Sequence, residues 1–201
     1  MKNDQGQRSI RAATREDARQ IAEIVVEDWQ RAYRGIIDDA YLDAMSVEER
    51  YQRESQRYRQ YRVAADGKAV LGFTWNEMTG DEAADCEIIA LYVRYARRNS
   101  GIGRALFQDS IDIFRAAGKK RMILWCLKEN EAARRFYEKM GGTAYKTGIH
   151  PWGNRDYEMI AYLYQLDGQG GDAGEATGAR PGARLRRGAR TGSEDVVAER
   201  E

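Results

Sequence analysis

The chain has 201 residues, with 33 Lys and Arg against 32 Asp and Glu for a formal charge of +1, and it contains two Cys and one His. So even a balance removes the electrostatic argument for a nucleic-acid or anionic-membrane partner. Two Cys and one His cannot supply a four-ligand Cys/His zinc site or a disulfide framework. Residues 1–8 are polar, and no run approaches the roughly 18 apolar residues of a membrane-spanning helix. The reading is of a metal-free, cytoplasmic protein with no nucleic-acid and no membrane partner.

Residues 1–8 read as a flexible N-terminus, and Ser9–Ala13 as a short strand. Thr14, three residues before Asp17, has the spacing of a capping box. Ala18, Ile21, Ala22, Val25 and Trp29 then recur at three- and four-residue intervals, which predicts an amphipathic helix broken by Gly35. Ser46 with Glu49 opens a second helix to about Gln60. Tyr61–Ala65 and Val70–Trp75 flank Asp66-Gly67, a hairpin signal. After a turn at Gly80-Asp81, Cys86–Val93 reads as a long apolar strand. A helix over Ile102–Ala117 ends at Gly118, Arg121–Leu127 is a strand, and Asn130 caps a helix to Met140 that Gly141-Gly142 stops. Strands at Thr143–Thr147 and Tyr157–Leu166 close the domain across a loop holding His150, Pro151 and Trp152.

Seven strands interleaved with helices predict an α/β (α+β) domain: a mixed sheet with helices on both faces. From Asp167 the composition turns to Gly and Arg with no aromatic and no hydrophobic period. Such a segment cannot offset its ordering entropy. The domain is therefore read as residues 9–166, followed by a disordered Gly/Arg-rich tail over 167–201.

The most informative segment is Leu91-Tyr92-Val93-Arg94-Tyr95-Ala96-Arg97-Arg98-Asn99-Ser100-Gly101-Ile102-Gly103-Arg104. A buried strand leads through a basic turn into a helix that opens with Gly101 and Gly103. Glycines there admit a ligand close to the backbone, and the N–H groups of a first helical turn point at an anion with the helix dipole behind them. Arg97, Arg98 and Arg104 add positive charge, so a pyrophosphate is the natural guest. A Walker loop is absent. A dinucleotide fingerprint wants a third Gly where Leu106 stands, and eight residues separate Val93 from Gly101.

At these residues the chain resembles the GNAT superfamily of N-acetyltransferases. Its acetyl-CoA signature is Arg or Gln, two residues, Gly, one residue, then Gly or Ala, and Arg98-Asn99-Ser100-Gly101-Ile102-Gly103 fits each defined position. The strand Glu87–Val93 before it, Asn130, Ala133 and Phe136–Gly141 after it, and Trp29 with Ala32–Ile37 are similar to other segments of that family in the same order. The resemblance covers about residues 9–166. It implies a mostly antiparallel sheet of about seven strands, the acyl-CoA N-acyltransferase fold, and transfer of acetyl from acetyl-CoA to a primary amine by direct attack in a ternary complex.

By the same resemblance, Leu91, Tyr92 and Val93 lie against the pantetheine arm, with a backbone N–H polarising the thioester carbonyl. Asn99, Ser100, Gly101, Ile102, Gly103 and Arg104, preceded by Arg98, cradle the pyrophosphate, and Asn130 contacts the pantetheine as well as serving as a helix cap. Tyr137 matches the Tyr that protonates the departing thiolate, whose ordinary pKa near 8.5 calls for a donor. Glu87, alone among apolar strand residues, is the candidate general base, since a carboxylate in that setting has a raised pKa; the other reading is a strand-end Glu facing water. Two departures stand out. Trp125 occupies the place where some N-terminal acetyltransferases carry a Glu, and Gly142 stands where most members have Phe. Cys86 and Cys126, on apolar strands, read as inert core thiols.

The acceptor side is expected at the first helices and the late loop. Asp28, Trp29, Tyr33, Asp38 and Asp39 cluster in sequence there, with His150 and Trp152 beyond. Acid with aromatic groups suits a cationic amine, small-molecule or protein-borne. Trp29 is also at core spacing with Val25, and His150 is either a proton shuttle or a surface loop residue. The alternative to an enzyme is a non-catalytic acyl-CoA-binding or sensor module, which needs the turn but not Tyr137. A homodimer is compatible with either.

Overall fold

The computed structural model describes residues 8–167. The flexible N-terminus and the disordered tail expected on either side lie outside the described residues, save for Arg8 and Asp167. The elements are β1 (Ser9–Ala12), α1 (Ala18–Ala32), α2 (Asp39–Asp43), α3 (Val47–Arg57), β2 (Tyr61–Asp66), β3 (Ala69–Met78), β4 (Cys86–Val93), α4 (Ile102–Ala116), β5 (Arg121–Leu127), α5 (Glu131–Lys139), β6 (Thr143–Trp152) and β7 (Arg155–Gln165). The strands follow the order β1-β2-β3-β4-β5-β7-β6 in a seven-stranded sheet. β4 and β5 run parallel, whereas β1/β2, β2/β3, β5/β7 and β6/β7 run antiparallel. This is the mixed, mostly antiparallel sheet that was expected. The chain forms two compact units, one of residues up to Asn76 with Ala90–Ser110, the other of Glu77–Ile89 with the chain from Ile111 onward.

In the first unit, the entry to α1 is fixed by Asp17. Its carboxylate accepts from the Thr14 backbone N–H at 2.7 Å and hydroxyl at 3.0 Å, and from both Arg11 guanidinium nitrogens at 2.6 and 2.9 Å. One acid thus ties the end of β1 to the start of the helix. The apolar stripe of α1, including Ile21, Ile24, Val25 and Trp29, is fully covered. The β2/β3 hairpin closes from Asp66 to Ala69 around Gly67, whose φ of +58° is the left-handed conformation that a tight turn asks of glycine. Further along β3, a Cβ on Gly72 would sit 2.6 Å from the Tyr92 carbonyl oxygen, so only glycine permits that close passage of β3 by β4. α3 departs from what its very polar sequence suggests. It buries Arg50 against Glu54 at 2.5 Å, and the Tyr61 hydroxyl donates to the same carboxylate.

In the second unit, β4 pairs with β5 over Cys86–Ile88, and β5 pairs with β7 from Arg121 to Leu127. The β6/β7 hairpin corrects the expected loop: β6 runs on through His150, Pro151 and Trp152, and Trp152 pairs with Arg155 across a turn at Gly153 and Asn154. Gly153 has φ +59°, so Gly-Asn is the turn dipeptide, and a period-two pattern through Gly148, His150 and Trp152 continues the strand into it. α5 ends at Gly141 (φ +92°), as expected of a C-terminal glycine. The last residue anchored is Leu166. It is buried, its N–H donates to the Lys120 carbonyl at 2.7 Å, and its own carbonyl accepts from Arg115 Nε at 2.7 Å.

A chain truncated after Asp167 should therefore keep the thermal midpoint of the full chain, whereas one truncated after Tyr164 should lose several degrees. Burial of one Leu contributes about 1.5–3 kcal/mol, and about 1 kcal/mol moves the midpoint of a domain this size by roughly 2–4 °C. Thermal unfolding of both truncations, followed by circular dichroism, checks this.

Candidate active site

The chemistry of the first unit converges where β4 ends. A short 3₁₀ turn at Tyr95–Arg97 leads through Asn99 (φ +60°) and Gly101 (φ +83°) into α4. The first bond of that helix runs from the Ala105 N–H to the Gly101 carbonyl. The N–H groups of Asn99, Ser100, Gly101, Ile102, Gly103 and Arg104 thus donate to no group among the described residues. A Cβ on Gly101 would meet nothing within 4 Å, so the space over the turn is open. The Ser100 hydroxyl donates back to the Arg97 carbonyl at 2.6 Å and closes the turn on itself. Left-handed residues, an open Gly101 and unpartnered N–H groups at a helix start are the features by which such turns hold anions, with the helix dipole adding to the same field.

One helix braces this segment. Trp29 Nε1 donates to the Tyr92 hydroxyl at 3.0 Å. Glu23 lies 3.5 Å from Arg94, and Arg31 stands over the Tyr95 ring at 4.7 Å. The Asp28 carboxylate accepts from Arg98, whose guanidinium also lies over Tyr95 at 5.2 Å. The first residue of the glycine turn is thereby held by α1. Asp28 is 6% exposed; burial outweighs the attraction of Arg98 and pushes its carboxyl up to about 6. Of the residues read as acceptor-facing, Trp29 is buried with its N–H on Tyr92, while Tyr33 stacks edge-on against it at 5.0 Å and stays half-exposed. Asp38 caps α2 by accepting from Ala40 and Tyr41, and Asp39 lies 3.3 Å from Arg34.

The second unit carries the titratable groups. Glu87 is 4% exposed on β4, opposite Ile123 of β5. Burial, with Asp81 and Glu77 adding repulsion, pushes its carboxyl up to about 8 against the opposing pull of a Thr79 hydrogen bond and Lys146. It is therefore a buried acid rather than a strand-end Glu in water. Lys146 pairs with Asp81 and stands over the rings of Trp125 at 5.5 Å and Tyr145 at 5.2 Å. Neither Lys146 nor Thr79 was signalled, because a lone Lys in a strand reads as surface.

Asn130 caps α5, its Oδ1 accepting from the Ala133 N–H at 3.1 Å, so the amide nitrogen stays available as a second function. Tyr137 lies two turns further along. Its backbone carbonyl accepts from the Tyr164 hydroxyl at 2.9 Å, and that hydroxyl is 2.5 Å from where a Cβ of Gly142 would be. Gly142 stands in place of the expected Phe because Tyr164 reaches through that space to hold Tyr137. His150 lies in a strand, buried beside Trp152 at 4.5 Å, and burial pushes its imidazole down to about 4. It is neutral at working pH and is not a surface loop residue. Burial raises the thiols of Cys86 and Cys126 to about 12, so neither forms a reactive thiolate. No cluster of three or more His, Cys, Asp and Glu gathers among the described residues, and none of their helices is long and apolar enough to cross a membrane.

The sequence model of the acetyltransferase (GNAT) family matches residues 19–142. The chain is 33% identical over 140 residues to a protein of Mycobacterium tuberculosis named as a probable N-acetyltransferase, covering 65% of this chain and 76% of that one. It is 29% identical over 126 residues to an uncharacterized N-acetyltransferase of Bacillus subtilis, covering 61% and 73%. The fold is similar to that of the PaiA N-acetyltransferase from Thermoplasma acidophilum, solved in complex with coenzyme A, with a TM-score of 0.60 at 21% identity over 77% of this chain and 98% of that one.

The raised carboxyl of Glu87 has a stability signature. Its pKa goes from an ordinary 4.5 to about 8 on folding, so the stability it contributes is complete below 4.5 and is lost as pH rises through about 8. Between about pH 5 and 8 the thermal midpoint of wild-type protein should fall more steeply than that of Glu87→Gln. Parallel profiles would mean that Glu87 is already ionised in the folded protein.

Proposed function

The chain belongs to the acetyltransferase (GNAT) family and is an acetyl-CoA-dependent N-acetyltransferase, and on that premise we propose which of its residues carry the reaction. The observation that carries this reading is the run of unpartnered N–H groups from Asn99 to Arg104 at the mouth of α4. Six donors around an open glycine turn fit a pyrophosphate.

Bound acetyl-CoA supplies an activated acyl carbon and a thiolate leaving group. Asn99–Arg104 hold its pyrophosphate through backbone N–H groups. The β4/β5 ladder ends at Ile88, so the backbone of Leu91, Tyr92 and Val93 further along β4 serves the pantetheine arm, and one N–H there polarises the thioester carbonyl. Asn130 contributes the amide nitrogen that its capping role leaves over. Tyr137, held through its carbonyl by Tyr164, donates the phenolic proton to the leaving sulfur. Glu87 takes the proton that the attacking amine must lose; a carboxyl near 8 is ionised in part at neutral pH and is basic enough to accept it. Tyr33 and His150 are assigned to the acceptor side, His150 neutral and so not a proton shuttle, and Trp29 acts through the Tyr92 hydroxyl that it bonds. The acceptor is a primary amine, on a small molecule or a protein, and the compartment is the cytoplasm.

Calorimetric titration with acetyl-CoA, with NAD as control, should show saturable binding of acetyl-CoA alone. Tyr137→Phe should lower kcat by about a hundredfold and leave that affinity unchanged. For wild-type protein kcat should rise with pH through about 8 as Glu87 ionises, and Glu87→Gln should flatten the rise. Tight binding of acetyl-CoA with no thiol release across a panel of amines would favour the non-catalytic acyl-CoA module instead.

A further inference from the structure

Asp28 is a buried acid that the reaction above does not use. It lies on the covered stripe of α1, seven residues after Ile21 and three after Val25, where helical periodicity calls for an apolar side chain. Its partner is Arg98, the residue at which the phosphate turn begins. We propose that Asp28 is a positioning residue for the cofactor: through Arg98 it holds the turn in the conformation in which the N–H groups of Asn99–Arg104 converge on a pyrophosphate. The proposal rests on the reading of that turn as the acetyl-CoA site.

Three observations support it. First, the residue directly after Arg98 is Asn99, a non-glycine residue at φ +60°. Such backbone persists where its surroundings over-determine it, and the anchored Arg98 side chain is the constraint next to it. Second, Arg98 does not offset the burial of the Asp28 carboxylate. Burial raises Asp28 from an ordinary 3.8 to about 6 even with Arg98 alongside. Its contribution to stability is therefore complete below 3.8 and lost as pH rises through about 6, which leaves the ionised form unfavourable at neutral pH. A charge kept where it weakens the fold points to a role in what it orients. Third, the remaining ties from α1 to this segment do not replace it: Glu23 to Arg94 and Arg31 to Tyr95 act upstream of the glycine turn, and Trp29 acts on β4.

The experiment is titration of the full chain with acetyl-CoA in the absence of acceptor, paired with steady-state kinetics. Asp28→Asn should raise the Kd for acetyl-CoA about tenfold at neutral pH. It should raise KM for acetyl-CoA while sparing kcat, and its thermal midpoint should hold or rise. Arg98→Gln should have a like effect, and the double variant should be no worse than the worse single, because both act through one contact. The groups facing Asp28 are Arg98 from the turn, Glu27 on its own helix and Tyr92 on β4, itself influenced by Arg50 and Glu54 of α3. Tyr92 is pushed up to about 12 by burial and does not titrate in this range. As pH falls through about 6, wild-type affinity should weaken beyond the change that Asp28→Asn also shows, which comes from the ligand's own phosphates.

Unchanged acetyl-CoA affinity in Asp28→Asn with a raised KM for the amine would overturn the proposal and return Asp28 to the acceptor side. Additive effects in the double variant, or a lowered midpoint with unchanged Kd, would overturn it as well. Should Asp28→Asn fail to fold, Arg98→Gln carries the same affinity and pH readouts. Wild-type protein that does not bind acetyl-CoA overturns the reading of the turn, and the proposal with it.

Discussion

Six backbone N–H groups at the start of α4 have no acceptor among the described residues, and α1 braces the segment that carries them. A helix start always leaves its first amides unbonded, but it does not ordinarily extend that set back through three residues of turn. Here Asn99 and Gly101 are left-handed, and a Cβ on Gly101 would meet nothing within 4 Å. Such a turn does not hold itself. The Ser100 hydroxyl closes it from inside, and α1 closes it from outside with Asp28, Glu23, Trp29 and Arg31. α1 is therefore a brace for the glycine turn as well as a layer of the first unit. That accounts for a helix whose buried stripe contains an acid.

Buried charge recurs in this chain, and its uses differ. Arg50, Glu54 and Tyr61 face one another, the arginine against the carboxylate and the phenol donating to it, so these charges are largely answered within the cluster. Asp28 is answered by a residue whose own backbone belongs to the turn. Glu87 is answered only in part: one hydroxyl and a lysine already paired with Asp81 oppose two carboxylates and full burial, and the balance leaves it near 8. The incompleteness of its surroundings is what separates Glu87 from a fully paired carboxylate, whose charge would be held far below that range.

Much of this was legible in the sequence. Hydrophobic period and turn dipeptides locate seven strands and the main helices, and Arg98–Gly103 with its flanking strand identifies the cradle, because strand, turn and helix start are local features. What stayed hidden depends on distant partners. The sequence reading puts His150 in a loop with Pro151 and Trp152, yet Pro is tolerated in a strand that lies at the edge of a sheet, as β6 does. Asp28 was grouped with Asp38 and Asp39 by nearness in sequence. Helical phase separates them, since Asp28 shares the stripe of Ile21 and Val25 whereas Asp38 is the cap of α2. The pattern held the signal, but its meaning needed Arg98, 70 residues away.

Gly142 shows the same dependence in the second unit. Read alone, a glycine in place of Phe leaves a gap behind α5. In the fold the gap is filled by Tyr164, which arrives from β7 and donates to the carbonyl of Tyr137. A helix C-terminus leaves carbonyls to be satisfied from beyond the helix, and that of Tyr137 accepts from the Gly142 N–H at 3.0 Å and the Met140 N–H at 3.2 Å as well as from the Tyr164 hydroxyl. Anchoring that carbonyl fixes the last turn of α5 and hence the direction of the Tyr137 Cα–Cβ bond. The substitution thus exchanges apolar packing for a directional bond. Directional bonds set geometry where packing alone sets only proximity, and geometry is what a proton donor needs.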